Sequence, residues 1–497
     1  MSSSTLRLHP LSFNGRILVL GCGSVAQCTL PLLVQHLEMP PSNITIMDFA
    51  DRRDRVAHLL AAGVKYEQKQ ITQANMAETL TQYVANGDLL IDLAWNIDCV
   101  EILQWCHDNG VMYLNTSVEV WDPYADHANM DPRLRSLYVR HMDVRRRAQT
   151  WATPGPTAVL EHGANPGLVS HFTKRGLISI AQRLLEEPPA QHGCNLPAVK
   201  SALDANDFPA LAMHLGVKVI HIAERDTQIT NRPKEVDEFV NTWSVDGLYE
   251  EGLAPAELGW GTHERRLPPD AYVHQDGPSN QLALGRMGLD TQVRSWTPAG
   301  EIIGWVVRHG EAFTITDHLT VWDGPRAVYR PTVHYSYCPS DAAIASIHEL
   351  KMRHLVMQSR QRIMNDEIVS GGDNMGVLLM GHPFKSWWTG SCLEIDEARA
   401  LVPHQSATTV QVGASITAAI RWMIRHPALG VRVPDDLPWE EVLDEAKPFL
   451  GRFYDAPVDW TPLDNRAERD LFGNFTAPQW KADSDDETWQ FTTFLYS

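Results

Sequence analysis

Carboxylates set beside aromatic and imidazole side chains recur in three stretches of this 497-residue chain. One runs His221-Ile-Ala-Glu-Arg-Asp-Thr-Gln228. A second is Asn241-Thr-Trp-Ser-Val-Asp-Gly247, with Glu250 and Glu251 close behind, and a third is Gly259-Trp-Gly-Thr-His-Glu-Arg265. An indole face attracts a cationic nitrogen and the acids neutralise it, so this composition suits an amine site. The chain holds 16 tryptophans, however, and tryptophan more often fills cores and interfaces, so the clusters alone do not decide the matter.

A different chemistry is written near the N-terminus. Gly21-Cys-Gly23-Ser24-Val25-Ala26 fits the pattern G-x-G-x-x-G/A, directly after an apolar strand and before a helix. The first glycine permits the tight turn, the second lets backbone approach a pyrophosphate, and Ala26 lets helix and strand pack closely. Free N–H groups at the start of the helix favour phosphate there. Asp48, closing the second strand, is placed to accept from a ribose 2′-hydroxyl, which favours NAD; Arg52 and Arg53 keep NADP as the alternative. Ligands on such sheets lie beyond the carboxyl ends of the strands. The segments reaching that crevice are Ala94-Trp95-Asn96, Thr116-Ser117-Val118-Glu119 and Asn165-Pro166-Gly167. No Ser-His-Asp order, P-loop or HExxH pattern is present, and His162, His221, His263, His309 and His382 are scattered.

The elements that must position these residues alternate over the first third. Strands are expected at Arg16 to Leu20, Ile44 to Asp48, Val64 to Tyr66, Asp88 to Leu93 and Val111 to Leu114, with helices between them. Apolar strands separated by helices imply a doubly wound parallel sheet covered on both faces. A basic helix from Pro132 to Ala152 carries Arg133, Arg135, Arg140 and Arg145 to Arg147, and reads as a solvated face. A helix is expected to begin at Asn165-Pro166-Gly167, with Pro166 near its first turn. The middle of the chain, rich in Trp, Gly and Pro, reads as a separate α+β domain with strands near Val217 to Ile222 and Ala327 to Tyr337. An amphipathic helix is expected over Thr408 to Arg425, then an acidic tail with Asp483, Asp485, Asp486 and Glu487. The boundaries follow as 1–165, 166–375 and 376–497.

With 42 basic against 61 acidic residues the formal charge is −19, which disfavours nucleic acid and anionic lipid and favours cationic small molecules. Seven cysteines, an odd number with no CxxC pair, point to reduced thiols and away from a zinc site or any other metal centre. The uncharged run from Ile17 to Gln35 is broken by Gly, Ser, Gln, Thr and Pro, so no membrane span or signal peptide is expected and the cytoplasm is the expected location.

Several of these stretches together resemble the bacterial homospermidine synthases, within the saccharopine dehydrogenase-like oxidoreductases. They are Gly163-Ala-Asn-Pro-Gly167, the three clusters above, Tyr329-Arg-Pro-Thr-Val-His334, Gly376-Val-Leu-Leu379 and Asp459-Trp-Thr-Pro462. The resemblance runs from about residue 15 to 495. It implies an N-terminal Rossmann domain, a catalytic α+β domain and C-terminal chain returning to the first, in an enzyme that is usually a homodimer. It also implies NAD as a retained prosthetic group, putrescine and related diamines as substrates, and ammonia as by-product. By motif, Trp243 would offer its ring face to a cationic intermediate and Glu224 would anchor the distal ammonium. Asn165 and His309 would lie near the reacting carbon and nitrogen, with His309 or a water as proton carrier, and Asn165 with Pro166 would adjoin the cofactor. Glu119 and Glu251 would line the mouth, with Glu250 as the competing candidate for the second, and Asp373 would belong to the same pocket. Asn96 stands where the resemblance implies an aspartate. The competing readings are a net redox enzyme of the saccharopine or carboxyspermidine type, for which Arg225 offers a cation, and a non-catalytic NAD-binding regulator.

Overall fold

The computed structural model describes residues 8–123, 125, 129–190, 193–464 and 485–496; Asp483 of the acidic tail lies outside them. The first sheet grows from β1 (Ile17–Leu20), whose four apolar residues are all buried, followed by α1 (Ser24–His36). β2 (Ile44–Asp48), β3 (Lys65–Gln68), α2 (Met76–Tyr83), β4 (Leu89–Asp92), α3 (Cys99–Asn109) and β5 (Met112–Asn115) continue the alternation. After α4 (Leu137–Gln149), β6 (Ala158–Val159) pairs parallel to β5. Together with Val431–Arg432 these make a seven-stranded sheet with the parallel neighbours expected from continuous apolar strands covered by helices.

The second sheet has ten strands. It follows α5 (Leu168–Glu186) and contains β7 (Val219–Asp226), then α6 (Val245–Leu253), β8 (Pro255–Gly259), β9 (Ala271–Val273), β10 (Gln281–Met287), β11 (Gln292–Thr297) and β12 (Gly300–Trp305). After α7 (Glu311–His318) come β13 (Thr332–Cys338), β14 (Gly372–His382) and β15 (Lys385–Glu394). The chain then forms α8 (Ala407–Arg425), returns to the first sheet as β16 (Val431–Arg432), and re-enters the second as β17 (Arg452–Val458). The expected return of the C-terminal chain to the first domain is therefore present. The boundary at 375 is corrected: it would cut β14 in mid-strand, because β14 is held between β7 and β15 from Asp373 to Met380.

Three local expectations change for physical reasons. Pro166 stands outside α5, because Gly167, at φ 132°, reverses the chain before Leu168 opens the helix. α8 is buried on nearly every side rather than amphipathic. It is packed between α1, where Gly413 approaches Cys28, and the second sheet, where Gln411 donates to the Asp373 carbonyl and to Ser391. The basic segment splits into a short 3-10 turn, Pro132–Arg135, and α4. Its Arg140 is 6% exposed, so that side chain is an internal group and not part of a solvated face. No helix among the described residues is long and apolar enough to cross a membrane.

Candidate active site

A cavity of about 1210 Å³ runs from the glycine turn to the face of the second sheet. That exceeds the roughly 300–1,000 Å³ of a site for one drug-sized ligand. The three loops expected at the crevice all line it, through Asn96, Glu119 and Asn165, and they meet there Glu224, Trp243 and His309 from the second sheet and its connections.

At the dinucleotide end Gly21 takes φ 86°, and a Cβ there would lie 2.6 Å from the Leu93 carbonyl. A Cβ on Gly23 would instead meet nothing within 4 Å, so this glycine leaves open cavity in front of α1. No side chain caps α1, whose first N–H groups are thus left to a ligand. Gly23, Ser24, Val25 and Ala26 line this end. Asp48 also does, but its oxygens accept from the backbone N–H of Cys22 at 2.7 Å and of Ala50 at 2.8 Å. It braces the turn as well as lining the cavity.

At the other end alternate residues of neighbouring strands share one face of the sheet. Glu224 on β7 pairs in register with Tyr337 on β13 and Met375 on β14. Its Oε2 accepts from Asn165 Nδ2 at 2.6 Å and from the Tyr335 hydroxyl. Burial pushes the Glu224 carboxyl up to about 7, although the bonds from Tyr335 and Asn165 oppose the rise. Tyr335 stacks on Tyr337, which accepts from Trp243 Nε1 at 2.9 Å. Gly247 makes room for that indole, since a Cβ there would come 2.7 Å from the ring.

His309 lies over Tyr335 with ring centroids 4.4 Å apart. Its Nε2 is 3.0 Å from Glu251 and its Nδ1 3.2 Å from Glu311. Burial works against charge on this ring, but Glu311 and Glu251 outweigh it and hold the imidazole well above its ordinary range, as an imidazolium. Glu250 also lines the cavity, but its carboxylate is already paired. It is buried and takes bonds from Arg140, at 3.1 Å, and from Arg308. Glu251 is thus the member of the pair that meets His309. Glu119 is 7% exposed, accepts from Ser117 at 2.7 Å, and its Oε2 takes no hydrogen bond but forms an ion pair with Arg140 at 3.9 Å. Burial and neighbouring Glu250 raise its carboxyl. Asn96 sits at φ 56°, a left-handed conformation that Asn and Asp tolerate better than other side chains, with Oδ1 buried and unpartnered.

Two expectations are corrected by the packing. Asp373 is buried beside Glu224 and does not line the cavity; it accepts from Thr408 at 2.6 Å, and burial with Glu224 and Asp226 holds its carboxyl well above the ordinary range. The Gly259 to Arg265 cluster anchors the last stretch of chain. His263 bonds the Trp489 carbonyl, and Glu264 accepts from Thr332 and the Phe491 N–H. Of the five scattered histidines only His309 lines the cavity; His162 bonds Ser415, and His221 bonds Ser295 within the core. Sequence reasoning missed Tyr335, Tyr337, Glu311, Arg308 and Glu161. The tyrosines were within reach, since Tyr335 and Tyr337 alternate on an apolar strand next to the one carrying Glu224.

Residues 17–159 match the family described as Saccharopine dehydrogenase NADP binding domain, and residues 163–456 the Saccharopine dehydrogenase C-terminal domain. The chain is 39% identical over 462 residues to homospermidine synthase of Blastochloris viridis, spanning 91% of this chain and 93% of that one. It is 37% identical to homospermidine synthase of Mesorhizobium japonicum, over 91% and 92% of the two chains. The crystal structure of homospermidine synthase from Legionella pneumophila in complex with NAD matches it with a TM-score of 0.85 at 37% identity, covering 98% of this chain and 99% of that one.

Proposed function

This chain belongs to the homospermidine synthase family of saccharopine dehydrogenase-like enzymes, and from that premise we propose that it joins two molecules of putrescine into homospermidine and ammonia with NAD as a retained prosthetic group. The observation that carries this reading is one continuous cavity whose first end is a glycine turn and whose second end is a Trp243, Glu224 and His309 constellation. The open space beside Gly23 and the uncapped start of α1 fit a pyrophosphate, and Asp48 fits the adenosine ribose. NAD supplies, when bound, a hydride acceptor for an amine carbon and the same hydride for the final reduction.

The chain's own residues bind, orient and manage protons. Glu224, fixed by Asn165 and Tyr335, anchors the distal ammonium of the first diamine. Trp243, fixed by Tyr337, turns its ring toward the cation that forms when the amine carbon is oxidised, a contact worth about 1–2 kcal/mol when desolvated. The His309 imidazolium donates to nitrogen as ammonia departs. Glu119, Glu251 and Asn96 guide dications inward, with one charge fewer than an aspartate at 96 would give.

A net redox reading needs a free cation for a substrate carboxylate. Arg225 is committed to the Pro339 carbonyl and to Asp341, while Arg140 and Arg308 share Glu250. The amine reading is therefore the better supported. A reducing compartment suits seven cysteines, an odd number with no CxxC pair, and we assign the enzyme to the cytoplasm as a homodimer. Incubating purified protein with putrescine and catalytic NAD, followed by mass spectrometry, tests the proposal. Homospermidine and ammonia without accumulating NADH are expected; stoichiometric NADH or no turnover would sink it.

A further inference from the structure

Glu161 has no part in the scheme above, yet its placement is unusual. It follows β6 with φ 54°, a left-handed backbone that costs a non-glycine residue on the order of 1–3 kcal/mol and persists where surroundings enforce it. The N–H of Glu161 is held by the Asn115 side chain at 2.7 Å. Its carboxylate lies against Gly310, where any Cβ would overlap it, beside His309 at the cavity wall. Glu161 is 2% exposed, and so is His141 of α4, whose Nε2 stands 2.7 Å from Glu161 Oε2. Burial alone would raise the Glu161 carboxyl, but His141, with His309 beyond, holds it below its ordinary range.

His141 lines a second cavity of about 380 Å³, walled also by Arg145, Asp317, His318 and Asp435. The exposed Gln149 and Asp436 are among its lining residues, so it opens to solvent, and it shares no lining residue with the first cavity. A buried carboxylate–imidazole pair thus touches both cavities, Glu161 lining the first and His141 the second.

We propose that Glu161 and His141 form a proton relay between the amine cavity and this second cavity. The inference rests on the amine-transfer reading. Each diamine arrives as an ammonium, and an ammonium nitrogen must lose its proton before its carbon can be oxidised or before it can attack as a nucleophile. His309, already an imidazolium between Glu251 and Glu311, is a donor and not an acceptor. Glu161 takes the proton on a carboxylate oxygen while His141 hands one to water in the second cavity. Two protons leave this way, one from each reacting ammonium. Two return, one with the departing ammonia and one on the new secondary amine, so the relay closes each cycle with no net proton.

The test uses the full chain with NAD and compares His141→Gln, His141→Ala and Glu161→Gln with wild type. His141→Gln keeps a donor for Glu161 but carries no proton through. It should lower kcat at least tenfold, leave NAD affinity and the putrescine KM within about twofold, and change the solvent deuterium isotope effect on kcat. Imidazole should partly restore His141→Ala. Unchanged kcat in His141→Gln, or a loss shared equally with NAD binding and not rescued by imidazole, would overturn the relay. Nitrogen-15 histidine NMR gives a readout independent of turnover: the His141 ring proton should exchange with water, and a ring proton protected as strongly as those of the buried core overturns the relay whatever the activity. Absence of diamine turnover in wild type, by contrast, fails the amine-transfer reading itself.

Discussion

The Nε2 of His309 lies 3.0 Å from a carboxylate oxygen of Glu251, the acid expected at the mouth of the cavity, so the substrate approach and the proton donor are electrostatically one unit. Glu251→Gln removes one of the two charges that keep the imidazole protonated. The alkaline limb of the kcat–pH profile should then move to lower pH, and the putrescine KM should rise severalfold. A group raised in the folded state stabilises it fully below the unfolded value of about 6.5 and loses that contribution as pH climbs through the raised value. Thermal unfolding of Glu251→Gln should accordingly differ less between neutral and alkaline pH than that of wild type.

Glu224 works in the opposite sense. Its carboxyl, pushed up to about 7 by burial, is anionic only above that value, so turnover that needs the anion should fall as pH drops through about 7. Between its ordinary value and about 7 the folded state holds a proton that the unfolded chain does not, so folding stability declines as pH rises across that window. Glu224→Gln should abolish most activity and remove this slope, read by denaturant unfolding at pH 5 and pH 8.

The two glycines of the turn separate folding from binding. Gly21→Ala strains the backbone at φ 86° against the Leu93 carbonyl and should lower Tm by about 1–2 °C, the shift expected of about 1–2 kcal/mol in a chain of 497 residues. Gly23→Ala meets no protein atom and should leave Tm of the cofactor-free chain unchanged, while NAD affinity drops at least tenfold by calorimetry.

Trp243→Ala should lose roughly tenfold or more in kcat with NAD retained, in line with about 1–2 kcal/mol of desolvated cation–π stabilisation. Trp243→Phe keeps a ring face but gives up the bond to Tyr337, and should fall between the two. Equal losses of cofactor and activity would show a structural role instead.

Asn96→Asp restores the charge that the resemblance implies, and aspartate accepts the same left-handed backbone. The putrescine KM should fall severalfold at low salt, with the gain shrinking as ionic strength rises.

Most of the first sheet was legible in advance because its central strands are short, apolar and separated by helices; local composition writes out the polar edge strand β3 only in part and the distant β16 not at all. The glycine turn and the loops bearing Asn96, Glu119 and Asn165 followed from that topology. The pocket end was legible only where motifs named it. Nothing local distinguishes Glu224, in the cavity, from Glu264, which anchors the C-terminal stretch. Both are carboxylates beside aromatics, and only the register of β7 between β13 and β14 separates them. Glu250 and Glu251 are adjacent in sequence, and their opposite roles depend on two arginines, Arg140 and Arg308, brought from distant segments. Asp373 was misplaced for a similar reason, since strand pairing sets it opposite Asp226, on the same face as Glu224 but two residues further along the strands and bonded by Thr408.

The chain passes between the two sheets repeatedly: after β6, through α8 into β16, and again into β17. Arg421 of α8 ties the last of these passages to the first sheet, donating to the His36 and His9 carbonyls at 2.7 Å each and pairing with Glu445. Two lobes joined by a single hinge can gape and shed whatever lies between them. Lobes laced together by several covalent crossings have less freedom to swing apart. On the proposed reading that restraint serves retention: the scaffold slows escape of the dinucleotide while small diamines come and go through the mouth, and the reaction can balance its electrons inside one vessel.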